Sequence, residues 1–221
     1  MAMRRPETGR QVAMRQSKEV AAQTRERILK TASRAYRRRG IAGIGLAELM
    51  AEAGLTHGGF YKHFPSKDAL AAEAIAHALD ETRRTLERAV AAAAPGARLA
   101  ALIDSYLTPV HRDRPDRGCA LAALGTEAAH GAPSVRAALA DGFARLAGLA
   151  AEQMADAALP LREAKGQALV SALVGTLMLS RTLPDRGQSD AMLTRSRDTL
   201  LAAFGGEGGA AASVPGAPAS G

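Results

Sequence analysis

Seven consecutive residues, His57 to His63, combine hydrogen-bonding side chains with two glycines. Imidazole, phenol and ammonium groups within one short segment are suited to contacting base edges and phosphate oxygens. The preceding Ala53-Gly54-Leu55-Thr56 is typical of the turn of a helix-turn-helix, in which Gly54 supplies the turn conformation. Three of the seven aromatic residues lie in or beside this segment: Phe60, Tyr61 and Phe64. We expect Phe60 and Phe64 in the core and Tyr61 on the exposed face.

Catalytic and metal-binding patterns are not found in the sequence. It has no phosphate-cradling glycine loop, no Gly-x-Ser-x-Gly elbow and no close group of carboxylates. The five histidines are far apart, without an i, i+4 pair or a neighbouring thiolate pair: His57, His63, His77, His111 and His130. We therefore expect no enzyme, no metal site and no cofactor.

The single cysteine, Cys119, excludes an intramolecular disulfide. It follows Arg117 and Gly118 at a predicted helix start, and a helix N-terminus with nearby cations lowers a thiol pKa and raises its reactivity. One interpretation is therefore a sensor of electrophiles or oxidants. The other is a small buried hydrophobic residue, and the sequence leaves both open.

Composition and charge describe a helical chain with one basic end. Hydrophobic residues make up 47% of the 221 residues, aromatic residues only 3%, and Trp is absent. A core of Ala, Leu, Val and Met favours helices over strands. Residues 1–67 hold 14 Lys and Arg against 5 Asp and Glu, a net charge of +9, whereas the remainder carries −2. This asymmetry indicates an anion-binding module joined to a near-neutral body.

Apolar periodicity and helix-stop residues predict nine helices and no strand. The predicted caps are Thr24, Thr56 and Ser66, and the predicted stops are Gly40, Gly54 and Pro65. Residues 108–118 are expected to form a loop. The predicted helices cover residues 24–39, 45–53, 56–64, 66–93, 97–107, 119–129, 133–159, 161–183 and 189–204.

No targeting or membrane segment is predicted. The N-terminus is charged throughout and lacks the apolar stretch of a signal peptide. The longest near-apolar run, residues 168–179, is too short to span a bilayer. We expect a cytoplasmic protein without membrane contact.

The helix predicted over residues 161–183 carries small residues at i, i+3, i+4 and i+7, which allow another helix to approach closely. With the last helix it favours a four-helix bundle across a two-fold axis. The alternative is an ordinary buried helix within one subunit. The residues expected at this dimer interface are Ala168, Ser171, Ala172, Gly175, Met178, Met192 and Leu200.

Residues 24–70, and especially the run from Ala53 to Leu70, resemble the DNA-binding domain of the TetR family of bacterial transcriptional repressors. The family pattern is Ala-Gly-Val-Ser, a variable helix containing Leu/Phe-Tyr, an aromatic-rich His-Phe, and Ser/Lys with an acidic residue and Leu. The resemblance implies an all-α fold with a three-helix helix-turn-helix domain, residues 23–68, followed by a larger helical ligand-binding and dimerisation body, residues 69–204. We expect residues 1–22 to form a flexible basic arm and residues 205–221 a disordered tail.

The resemblance also implies a function and its residues. The protein would be a homodimer that binds a palindromic operator in double-stranded DNA and is released by an unknown small-molecule inducer. Gly45 stands where the family usually has a hydroxyl residue, and Gly59 where a Thr is common. The expected DNA contacts are Gly45, Thr56, His57, Gly58, Gly59, Tyr61, Lys62, His63 and Lys67.

The inducer pocket is harder to place, because a bulky residue in a central helix is more often a packing residue than a ligand contact. The candidates are Tyr106, His111, Cys119, His130, Phe143 and Met154. Two other functions stay open: a redox or electrophile sensor acting through Cys119, and a nonspecific nucleoid-type DNA binder.

Overall fold

The computed structural model describes residues 9–154 and 158–205, with side chains from residue 16 onward. Within these residues helices are the only regular secondary structure and there is no strand, which confirms the all-α prediction. Short 3-10 helices cover His57–Lys62, Pro95–Ala97 and Pro115–Arg117. The α-helices of the described chain are α1 (Gly9–Arg39), α2 (Leu46–Glu52), α3 (Lys67–Ala92), α4 (Arg98–Tyr106), α5 (Pro109–Asp113), α6 (Ala120–Ala129), α7 (Pro133–Glu152), α8 (Leu159–Ser180) and α9 (Arg186–Phe204).

Helix α1 begins at Gly9, so the predicted start at Thr24 is wrong and residues 9–22 are helical rather than a flexible arm. The Ala, Gln, Met, Arg and Lys residues in this stretch are good helix formers, which the sequence reasoning underweighted. The Thr24 hydroxyl donates to the Val20 carbonyl at 2.9 Å within the helix instead of capping it. Residues 1–8 of the predicted arm, and residues 206–221 of the predicted tail, lie outside the described residues.

Three other predicted elements are corrected. The third helix is a 3-10 helix, His57–Lys62, because Gly58 and Gly59 disfavour a regular α-helical turn. The predicted loop contains α5, which starts at Pro109, where a proline is tolerated because a first-turn N–H needs no partner. Helix α7 ends at Glu152 rather than near residue 159, and α8 takes Pro160 into its first turn and ends at Ser180.

The chain divides into two compact units. The first holds the residues up to Arg84 together with Val110–Arg145, and the second holds Thr85–Pro109 together with the residues from Leu146 onward. The boundary predicted near residue 68 separates a DNA-binding domain from a ligand-binding and dimerisation body, and it stays a prediction. The first unit has a core of side chains from α1, α2, the 3-10 helix His57–Lys62, the residues that follow it, and α3: Ile28, Tyr36, Leu49, Met50, Phe60, Phe64, Leu70 and Ile75.

The guanidinium of Arg37 lies inside the first unit, with only 5% of the residue exposed. It donates to the Gly118 carbonyl at 2.9 Å, to the Ser33 carbonyl at 3.0 Å, to the Ser33 hydroxyl at 3.1 Å and to Glu81 at 3.1 Å. Burial lowers the pKa of Arg37, while the charge of Glu81 and its hydrogen bond act in the opposite direction. One side chain of α1 therefore joins α3 and the residues that lead into α6.

The second unit packs α9 against α8 and α4. Ser189 donates to the Ser180 carbonyl at 2.6 Å, and Arg197 forms an ion pair with Asp104. Leu169, Leu173 and Leu177 turn one face of α8 into its core. In the described part of the chain no helix is both long and apolar enough to cross a membrane.

We expect Arg37→Met to lower the free energy of unfolding by about 2–3 kcal/mol, because the substitution leaves the buried Gly118 carbonyl without its donor. Urea unfolding followed by circular dichroism measures the change. Arg34→Met removes an exposed arginine from the same helix, and should shift stability by less than about 0.5 kcal/mol. Equal stability of the two variants would contradict the structural role of Arg37.

Candidate nucleic-acid interface

The turn after α2 is closed by backbone hydrogen bonds. Gly54 adopts a φ of 69°, in the left-handed region that glycine favours. Its N–H donates to the Ala51 carbonyl at 2.9 Å, and the Leu55 N–H donates to the Met50 carbonyl at 2.9 Å. These two bonds form a Schellman motif, which ends α2 and sends the chain into the 3-10 helix. The turn predicted from Ala53 to Thr56 is thus formed by backbone hydrogen bonds.

Two phenylalanines anchor the 3-10 helix to the core, as predicted. Phe60 and Phe64 are buried, and their rings stack with centroids 5.9 Å apart. The guanidinium of Arg25 lies 4.5 Å from the Phe64 ring centroid and binds both carboxylate oxygens of Glu73 at 2.7 and 2.6 Å. This cation–π contact and ion pair connect α1, the 3-10 helix and α3. The other face of the 3-10 helix is consequently held in a fixed orientation.

That other face presents polar groups to solvent. Tyr61 is 65% exposed, and its ring packs edge-to-face against His57 with centroids 6.4 Å apart. Five more of the residues predicted to contact DNA belong to the same segment and are exposed or half-exposed: Thr56, Gly58, Gly59, Lys62 and His63. Together these residues, His57 and Tyr61 included, form what we call the polar face. It offers donors and acceptors over a segment short enough to enter a major groove.

The helix termini around the polar face are only partly as predicted. The Ser66 hydroxyl accepts from the Ala69 N–H at 3.0 Å and caps α3, as expected. Thr56 and Gly45 occupy N-cap positions but provide no side-chain cap, so the Thr56 hydroxyl is available to a partner. The ammonium of Lys67 donates to the Ile44 carbonyl at 2.8 Å. This bond supports the turn between α1 and α2, a structural role that sequence reasoning missed.

A basic face on α1 was also missed. Arg27, Lys30, Arg34 and Arg38 line an open groove between α1 and Glu52 of α2. Glu26 pairs with Lys30 at 3.1 Å, and Glu52 pairs with Arg38 at 3.5 Å, which partly offsets the positive charge of the groove. The spacing of three, seven and eleven residues along one helix is the sequence signal that would have found this face.

The six candidate pocket residues are divided between the two units. Tyr106 and Met154 are buried in the second unit, while the other four belong to the first unit. Phe143 is half-exposed and His130 is exposed, with Nδ1 of His130 3.1 Å from the Thr126 carbonyl oxygen. Nε2 of His111 accepts from the Cys119 N–H at 2.9 Å, so the structure brings these two candidates into direct contact.

Cys119 is fully buried at the N-cap of α6. A reagent in solution therefore reaches this thiol only if the surrounding structure opens, which weakens the sensor hypothesis and favours a packing role. Both interpretations stay predictions. Among the described residues there is no cluster of three or more His, Cys, Asp or Glu side chains that could hold a metal ion.

Most of the predicted dimer residues are accessible in the second unit. The small residues predicted at the interface lie on the face of α8 opposite its buried residues, which are Gly166, Leu169, Val170, Leu173, Leu177 and Ser180. Met178 is 41% exposed, and its neighbour Leu179 is 49% exposed. Ala168 and Ser171 are exposed, and Ala172, Gly175 and Met192 are half-exposed. Leu200 differs, because it is buried within the unit itself.

Sequence profiles of known families match most of the described chain. The profile described as bacterial regulatory proteins of the tetR family matches residues 28–74, which include the turn and the polar face. A second profile, described as the tetracyclin repressor-like C-terminal domain, matches residues 95–195.

Individual proteins with similar sequences or structures are also described as regulators. The HTH-type transcriptional regulator TtgR of Pseudomonas putida is 41% identical over 76 residues, 34% of this chain and 36% of that protein. The match thus spans only about a third of that curated relative. SCO4454, a TetR-family transcriptional regulator from Streptomyces coelicolor, is 25% identical with a TM-score of 0.66, covering 86% of this chain and 95% of its own. The reduced form of E. coli NemR has a TM-score of 0.70 at 20% identity, covering 80% and 95%, which supports the fold alone.

Substitution of Gly58 tests whether the backbone of the polar face comes close to a DNA duplex. A Cβ added at Gly58 meets no atom within 4 Å, so packing does not require this glycine. We expect Gly58→Ala to raise the free energy of unfolding by up to about 1 kcal/mol, since alanine is the better helix former. We also expect it to weaken DNA binding about tenfold, because the methyl group prevents close backbone approach.

Gly148→Ala is the control, since Gly148 is an exposed helical glycine whose Cβ position is equally open. It should gain stability without losing affinity. Chemical denaturation and fluorescence anisotropy with labelled duplexes measure the two effects. If Gly58→Ala binds DNA as tightly as the wild type, the backbone of the polar face does not approach the duplex.

Proposed function

Because the chain belongs to the TetR family of bacterial regulatory proteins, we propose that it is a dimeric, ligand-responsive transcriptional regulator. In this function the polar face of each subunit reads one half of a palindromic operator. The observation that carries the proposal is the position of the polar face, opposite the buried Phe60 and Phe64. The named relatives TtgR and SCO4454 are themselves described as transcriptional regulators.

Affinity and specificity would come from different residues of the polar face. Lys62, Tyr61 and Thr56 supply a cation and two hydroxyl groups suited to phosphate oxygens, which position the protein without reading sequence. His57 and His63 supply ring nitrogens that hydrogen-bond to base edges. The net charge of +9 on residues 1–67 adds a sequence-independent attraction to the duplex, in the cytoplasm where the chromosome lies.

Release would follow from inducer binding in the helical body. An inducer that binds one dimer conformation more tightly shifts the population toward it. If that conformation separates the polar faces by a distance other than one helical turn, about 34–36 Å, the two half-sites no longer match. We propose repression with release by a small molecule, whose identity the residues of the body do not specify.

A gel shift with the DNA upstream of the protein's own coding region tests this function, since such regulators commonly control neighbouring genes. We expect a complex that survives excess unrelated duplex. Lys62→Gln should reduce the magnitude of the slope of log K against log salt by about 1.8 for every duplex, because the dimer loses two phosphate contacts, one from each subunit.

Arg136→Gln removes an exposed charge from α7 and should leave that slope unchanged. If the wild-type protein binds all duplexes equally well, with affinity set only by salt, a nonspecific nucleoid-type binder replaces the proposed regulator.

Dimerisation through α8 and α9 is part of the proposal. Exposed Met178 and Leu179 beside the small residues of α8 form an apolar face suited to a second copy. Gly175→Arg places a long cation on this face, and we expect a monomeric mass by light scattering at micromolar concentration.

Gly148→Arg makes the same change at another open glycine and should stay dimeric. A wild-type monomer, or a Gly175→Arg dimer, would place the interface elsewhere or remove it.

A further inference from the structure

The turn between α1 and α2 is bound by a side chain from a distant part of the sequence. Gly40 ends α1 with a φ of 80°, and its N–H donates to the Tyr36 carbonyl at 2.8 Å. The next two backbone N–H groups point away from the helix and need acceptors. Glu127 of α6 supplies both: one carboxylate oxygen accepts from the Ile41 N–H at 2.9 Å and the other from the Ala42 N–H at 2.7 Å.

The fit of Glu127 against the turn is tight. A Cβ added at Gly40 would lie 2.8 Å from Oε2 of Glu127, closer than real Cβ atoms approach, so the carboxylate would have to move from its present position. The φ of Gly40 itself favours glycine at this position. The interaction also needs a carboxylate, because glutamine would direct its NH₂ group at one of the two N–H donors.

The turn is supported at its other end as well. The ammonium of Lys67, the first residue of α3, donates to the Ile44 carbonyl at 2.8 Å. Arg39, just before the turn, binds Glu48 and Glu52 of α2 at 2.6 Å each. The Glu127 contact differs from these, because it comes from outside the segment that forms the helix-turn-helix. It therefore makes the direction in which α2 leaves the turn depend on the position of α6.

We propose that Glu127 is a positioning residue for sequence-specific DNA binding. Its carboxylate sets the α1–α2 turn, and the turn sets the orientation of α2 and of the polar face that follows. Base contacts in a groove require the polar face to be correctly oriented, whereas phosphate contacts by flexible cationic side chains tolerate a change in this orientation. The inference rests on the proposed function.

The test compares Glu127→Gln with the wild type on two labelled duplexes, one selected by the wild-type protein from a random pool and one with the same bases scrambled. We expect Glu127→Gln to lower the affinity ratio of the two duplexes at least tenfold. Affinity for the scrambled duplex should stay within twofold of the wild-type value. A merely structural defect would lower the affinity for both duplexes and leave their ratio unchanged. Glu152→Gln makes the same chemical change at an exposed residue of α7 and should keep the wild-type ratio.

Amide hydrogen exchange of the wild-type protein provides a measurement that does not depend on how a variant folds. The Ile41 and Ala42 amides should exchange as slowly as those of the last turn of α1. Rapid exchange of both amides would overturn the inference, as would an unchanged ratio in Glu127→Gln. If the wild type itself does not discriminate between the duplexes, the proposed function fails and this inference fails with it.

Discussion

A buried cation, Arg37, is the interaction on which the architecture of the first unit depends. Burying a guanidinium is unfavourable unless its donors are satisfied, and here they reach a carbonyl before α6, a serine of the same helix and a carboxylate of α3. The side chain satisfies these conditions only when α1, α3 and the approach to α6 are all in place. Arg37 therefore favours one arrangement of these elements, whereas apolar packing alone would allow several arrangements.

This arrangement explains how a short, glycine-containing helix can serve as a binding surface. The 3-10 helix has little stability of its own, because two glycines favour the unfolded chain. Buried Phe60 and Phe64, with Arg25 over the second ring, hold it from behind. Glu127 and Lys67 hold the turn that precedes α2. The polar face is thus fixed by contacts on its opposite side, which leaves its own groups available to a partner.

The sequence predicted those parts of the structure that depend on local chemistry. Helix periodicity, the left-handed glycines Gly40 and Gly54 and the Ser66 cap are all encoded within a few residues. The start of α1, the 3-10 geometry and the short α5 were missed, because each depends on a small balance of propensities that local signals do not resolve. The roles of Arg37 and Glu127 could not be predicted, since Arg37 joins Glu81 and Gly118, 44 and 81 residues away, and Glu127 binds N–H groups 85 and 86 residues away. In the sequence both are ordinary helix-surface charges.

We propose that this chain reads a two-fold symmetric DNA sequence with two copies of the polar face. Sequencing the duplexes that the full-length protein enriches from a random pool tests it most directly. We expect one inverted repeat whose half-site centres are separated by about one helical turn, about 10–10.5 base pairs. Enrichment of no motif, or of a motif without two-fold symmetry, would contradict it.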